Sequence, residues 1–159
     1  HKMQGHTDIP LNDEGRRMAE NAAEEYRDTH FDICFCSPLI RAKETAEIFL
    51  KGRDIPIITD DRLMEMSFGE YEGLENSFSI PDCPLNTLFR EPDKYKEPPG
   101  GAESLEELFA RTGEFLDEKV TPLLEQGKDV LIVGHGAMNC SIVCRVKDIP
   151  LKDFFRSIG

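Results

Sequence analysis

Three side chains in this sequence are of types that together suit phosphoryl chemistry: Arg41, Glu65 and His135. His135 stands between Gly134 and Gly136 in "VLIVGHGAMN", directly after an apolar run. Neither neighbour carries a side chain, so backbone and imidazole can both approach a tetrahedral anion. Arg41 lies in "CSPLIRAKETA", where a guanidinium offers a rigid fork suited to two phosphate oxygens. Glu65 stands among Leu63, Met64 and Met66, and a carboxyl in apolar company is expected to keep its proton as a general acid near neutrality must. Glu70 and Glu72 flank a Gly-rich turn and read as solvated charges. In this arrangement Arg41 binds phosphoryl oxygens, His135 holds an equatorial oxygen and Glu65 protonates the leaving alkoxide. Each residue alone has an ordinary explanation: an arginine paired with Glu44 or Glu47, a solvated glutamate, a histidine satisfied by carbonyls. Their convergence carries the reading.

Such groups need strands that end where they begin. "FDICFC", Phe31 to Cys36, reads as a buried strand, Ile55 to Thr59 as a second and Asp129 to Val133 as a third. Asn12 is placed to cap a helix reaching about Arg27, with Leu11, Gly15, Met18, Ala22 and Tyr26 as its inner stripe. Ser37-Pro38 reads as N-cap and first residue of a helix to about Lys51. Ser104-x-x-Glu107 is a capping box for a long helix whose inner face is Leu105, Leu108, Phe109, Thr112, Leu116 and Leu123. Pro122 is expected to kink or break that helix. A last helix runs from Ala137 to Val146. The segment from Gly69 to Gly101, rich in Gly, Pro, Asn and Ser, reads as a loop-rich lid. Strands alternating with helices predict an α/β fold with a mostly parallel sheet, in which ligands sit beyond the carboxyl ends of the strands. Arg41, Glu65 and His135 each follow one of the three.

Composition narrows the class. A chain of 159 residues, 39% hydrophobic and 31% charged, suits a single globular domain over residues 1–159. Its net charge of −12 argues against a nucleic-acid partner. No apolar run is long enough for a membrane span, so no membrane association is expected. Cys34, Cys36, Cys83, Cys140 and Cys144 have neither disulfide-framework nor zinc spacing, which predicts buried thiols, no metal and a cytoplasmic setting. Cys36 and Arg41 have one residue too few between them for a cysteine-phosphatase loop, and Cys34 one too many. His6 reads as a surface or lid residue, and His1 and His30 have no supporting context.

The blocks "QGHTDIPLNDEG", "CSPLIRAKETAEIF", "LMEMSFGEYEG", "PPGGAESLEELFART" and "VLIVGHG" resemble, in this order, those of the histidine phosphatase superfamily. That resemblance implies a phosphoglycerate mutase-like three-layer sandwich with helices on both faces of the sheet. It implies a phosphomonoester hydrolase acting on a small phosphorylated substrate through a phosphohistidine, with no cofactor. Arg41 matches the phosphate ligand, Glu65 the proton donor and later base, and His135 the second pocket histidine. Gln4 and Gly5 match the pair lining the substrate side, and Gly136 and Ala137 the turn beside the second histidine. The attacking histidine belongs to an Arg-His-Gly motif expected upstream of residue 1, and the opening at His1 without Met suggests a piece of a longer chain. A phosphoglycerate mutase-type phosphotransferase and a non-catalytic phosphate-binding relative are the alternatives. Few basic residues between Gly69 and Gly101 (Arg90, Lys94, Lys96) favour the phosphatase.

Overall fold

A computed structural model describes residues 2–76 and 79–158; His1, Gly159 and positions 77 and 78 of the expected lid lie outside the described residues. The chain forms two compact units. The sheet unit comprises Asp8–Met64 and Phe115–His135, and the helical unit His1–Thr7, Glu65–Glu114 and Gly136–Gly159.

In the sheet unit, strands β1 (Ile33–Cys36), β2 (Ile57–Thr59) and β3 (Val130–Val133) are parallel in the order β2-β1-β3. Cys34 stands opposite both Ile57 and Leu131. Successive strand residues face opposite sides. Cys34 and Cys36 therefore share one face, against Ala42, Ala46 and Leu50. Phe35 takes the other, meeting Phe115 edge-on at 5.4 Å. Small residues on the first face let a helix lie close, and an aromatic pair fills the second. The outcome is the α/β arrangement with helices on both faces that the sequence implied. β2 is shorter than expected and exposed, with Ile57 38% and Ile58 46% accessible, as befits an edge.

Helix α1 (Asp13–Glu25) is capped as predicted, Asn12 Oδ1 accepting from Gly15 N at 2.8 Å. Its inner stripe is not the one expected. Met18 is 66% and Tyr26 46% exposed, while Ala19 is buried. The four-residue step from Gly15 to Ala19, which keeps small residues on the inner side, wins over the bulky Met18. Helix α2 (Ile40–Phe49) also starts later than Ser37-Pro38 predicted, with Leu39 at the cap position. Ser37 is no cap for it: its hydroxyl accepts from Leu39 N at 3.3 Å and meets His135. Asp8 supplies the missing acceptor, its Oδ1 taking Ile40 N at 2.7 Å.

In the helical unit the expected lid is not all loop. It holds α3 (Pro84–Arg90), with Leu85 and Leu88 buried, and single 3₁₀ turns at Gly69–Tyr71 and Pro92–Lys94. Its ends are tied together: Phe68 pairs with Ala102, and Glu70 N donates to Gly100 O at 3.2 Å. Gly69 is required there. Its φ is +59°, and a Cβ would lie 2.2 Å from Gly100 O.

Helix α4 (Leu105–Phe115) begins on Ser104, whose Oγ accepts from Glu107 N at 3.1 Å. The α-helical hydrogen bonding does break just ahead of Pro122, as expected, though the chain stays helical through it. A wide turn, Leu116–Val120, precedes α5 (Thr121–Glu125), and Thr121 N donates back to Leu116 O. A proline ring would clash with the carbonyl four residues earlier in an α-helix, and one extra residue in the turn relieves that clash. Helix α6 (Gly136–Lys147) follows His135 directly, and the short helical turns at Leu151–Arg156 bury Phe154 against Phe109 at 5.8 Å. Among the described residues no helix is long and apolar enough to cross a membrane.

Candidate functional site

β1 and β3 are hydrogen-bonded neighbours, so the residues just past their carboxyl ends emerge at one edge of the sheet. After β1 come Ser37 and, in the first turn of α2, the half-buried Arg41; after β3 comes His135. His135 is 8% exposed and its Nε2 lies 2.8 Å from Ser37 Oγ, while Ser37 itself is fully buried. The serine thus fixes the imidazole ring from one side. Ser37 N donates to Val133 O at 3.0 Å, which ties the serine to β3 as well.

Glu65 lies in the helical unit, and its surroundings differ from the apolar company expected. Its carboxylate accepts three backbone N–H bonds: Met66 N at 2.8 Å and Met138 N at 3.0 Å on Oε1, and Ala137 N at 3.2 Å on Oε2. Sequence neighbours were apolar, but the carboxylate itself sits on the first turn of α6, where free N–H groups and the helix dipole favour an anion. Arg111 supports the glutamate from behind, its Nη2 donating to Glu65 O at 3.3 Å. Glu103 holds Arg111 at 2.6 Å and 3.0 Å through both carboxylate oxygens. Gly136 and Ala137, assigned to the turn beside the histidine, form the N-terminus on which Glu65 rests.

Gln4 is exposed and Gly5 buried, in a turn closed by Thr7 N donating to Gln4 O at 2.8 Å. Glu72 organises this turn and is not merely a solvated charge. Its Oε1 accepts from Phe68 N at 3.0 Å and His6 N at 3.2 Å. A Cβ on Gly5 would lie 2.1 Å from that oxygen, and φ there is +49°. Ser37, Arg111, Glu103 and Glu72 were missed as site residues. Only Ser37 left a sequence signal, a hydroxyl one residue beyond a buried strand.

The cysteines are free and buried. Desolvation pushes the Cys34 thiol up to about 11 and Cys36 to about 12, so neither offers a thiolate near neutral pH. His30 does have context: with Asp32 and Asp129 it forms a surface group whose candidate ligand atoms all lie within 4.8 Å of one another. None of the predicted site residues belongs to it.

The sequence profile of the histidine phosphatase superfamily, branch 1, matches residues 1–158. This chain belongs to that superfamily. A 2,3-bisphosphoglycerate-dependent phosphoglycerate mutase of Cytophaga hutchinsonii is 35% identical over 94% of this chain and 71% of its own length. The uncharacterized phosphatase PhoE of Bacillus subtilis is 40% identical over 86% of this chain, which spans 64% of that protein. A mycobacterial glucosyl-3-phosphoglycerate phosphatase solved with inorganic phosphate superposes with a TM-score of 0.82 at 27% identity, over 98% of this chain and 77% of that one. Both phosphatases and mutases of the superfamily are therefore among its relatives.

Proposed function

We propose that the protein is a phosphomonoester hydrolase that works through a phosphohistidine. The observation that carries this reading is His135 held by Ser37 at the end of β3, beside the strand that leads into Arg41. The superfamily histidine of the Arg-His-Gly motif, ahead of Gln4 in this reading, attacks phosphorus. The P–O ester bond breaks as Arg41 and His135 hold the phosphoryl oxygens, and Glu65 gives its proton to the leaving alkoxide. Glu65 then takes a proton from water, whose oxygen attacks phosphorus, and the P–N bond breaks to release phosphate. Gln4, Gly5, Gly136 and Ala137 line the substrate side. Three N–H donors suit Glu65 to the carboxylate form it needs as the base of the second step.

The substrate is a small phosphate ester, selected by residues 69–101 acting as a lid. Hydrolysis is favoured over mutase chemistry because that segment has little to hold a second phosphate: of Arg90, Lys94 and Lys96, Lys94 is already paired with Glu91. Five buried thiols fit a reducing compartment such as the cytoplasm. The test is to assay the full-length protein for phosphate release and for phosphoglycerate interconversion, with Arg41→Ala and His135→Ala alongside. Release that each variant lowers by about 10²-fold or more supports the reading. Interconversion without net release would overturn it.

A further inference from the structure

A cavity of about 440 Å³ lies wholly within the helical unit, bordered by Tyr95, Lys96, Ser104, Phe109, Arg145 and Leu151. Of the residues assigned to the phosphoryl site, only the lid segment 69–101 reaches it, through Tyr95 and Lys96. Tyr95 is 5% exposed, and its hydroxyl is buried with no hydrogen-bond partner. Burial pushes its pKa up to about 12, so it keeps its proton and is a donor across the ordinary pH range.

The charges in the wall point to an anionic occupant. Among the described residues neither Lys96 nor Arg145 makes an ion pair, in a chain with 31 acidic against 19 basic residues. Arg145 is set in place beforehand. Its Nη2 donates to Phe109 O at 2.8 Å, and its guanidinium lies on Gly113, where a Cβ would come within 2.6 Å of Cζ. Leu105 and Glu106, the first residues of α4, also line the cavity, and their N–H groups have no acceptor within the helix. Glu106 is the one carboxylate in the wall and is exposed. Two cations against one carboxylate leave room for a single negative charge, while Phe109, Leu151 and Leu105 give an apolar floor.

We propose that this cavity binds a small organic carboxylate, its head toward Lys96, Arg145 and the α4 amides and its apolar body against Phe109 and Leu151. The proposal does not rest on the hydrolase reading, and its test does not use phosphate release, so either can fail alone. Full-length ¹⁵N-labelled protein would be titrated with benzoate, benzyl alcohol and benzylammonium. Benzoate should move the Leu105 and Glu106 amides saturably, with the neutral and cationic probes about tenfold weaker or more. Lys96→Ala should weaken benzoate severalfold, leaving distant resonances in place. Lys96 is exposed, so its variant should keep the fold and the test stays decisive. Absence of saturation below about 10 mM, equal response to all three probes, or unchanged benzoate affinity in Lys96→Ala would each overturn the proposal.

Discussion

Replacing Glu65 by glutamine separates what the carboxylate does for stability from what it does for chemistry. The glutamine amide oxygen can take the place of Oε1 and still accept from Met66 N and Met138 N. Its NH₂ then faces Ala137 N, a donor against a donor, and that bond is lost. Loss of charge weakens the two retained bonds from about 1.5–3 to about 1 kcal/mol each. The favourable term between the carboxylate and the α6 dipole, about 0.5 kcal/mol, also goes. Discounted for partial exposure and non-additivity, the sum is about 2–3 kcal/mol, or roughly 4–12 °C in Tm for a protein of this size class. Urea and thermal melts of the full-length variant check it, with exposed Glu70→Gln as the control that should not move. In the same variant, kcat/KM for an alkyl phosphate should fall by about 10²–10⁴, and that for p-nitrophenyl phosphate far less, because only the poor leaving group needs the proton. A Tm within a degree of the parent would refute the hydrogen-bonding argument. Equal kcat/KM losses on the two esters would refute the acid role.

Gly69→Ala forces a side chain into a left-handed backbone and onto Gly100 O at 2.2 Å, and backbone cannot give way as a flexible tip would. It should cost more than about 3 kcal/mol by urea melt, and a cost under about 1 would mean the tie between the two ends of the lid is looser than described. Asp60 is held below its ordinary 3.8 chiefly by the hydrogen bond from Arg62. A lowered folded-state pKa gives stability that is complete above 3.8 and drains away as pH falls through the folded value. Asp60→Asn should therefore be less stable by about 1–2 kcal/mol at pH 7, with the gap closing below pH 3.8; a gap constant across acid melts would sink the assignment. Cys34 and Cys36, both fully buried, should resist a maleimide in the native protein and react only on unfolding, so modification of either in native buffer, read by peptide mass, would contradict their packing.

The strand ends were legible because runs such as "DVLIV" and "FDICFC" announce buried strands, and topology sends the residues after them to one edge. Arg41 and His135 were found that way. Ser37 was misread because Ser-Pro is a strong local helix signal, whereas its partner lies 98 residues away. Glu65 was found, but for a reason that failed: Leu63, Met64 and Met66 are neighbours in sequence, while the groups on its oxygens include amides more than 70 residues downstream. Met18 looked like an inner residue because bulk is easier to see than the small-residue spacing that placed Ala19 inside. α3 was hidden by the Pro and Asn around it, which local propensity reads as loop until Leu85 and Leu88 find a core.

The wide turn at Leu116–Val120 has a consequence for how this sequence can change over generations. Pro122 and the extra residue ahead of it form one unit of inheritance. Losing the residue while keeping the proline restores the clash with the preceding carbonyl, and every later side chain rotates by about 100°. Losing the proline alone leaves a strained turn with nothing to justify it. Lineages should therefore gain or shed the two together, and a deletion at this place should travel with a substitution at position 122.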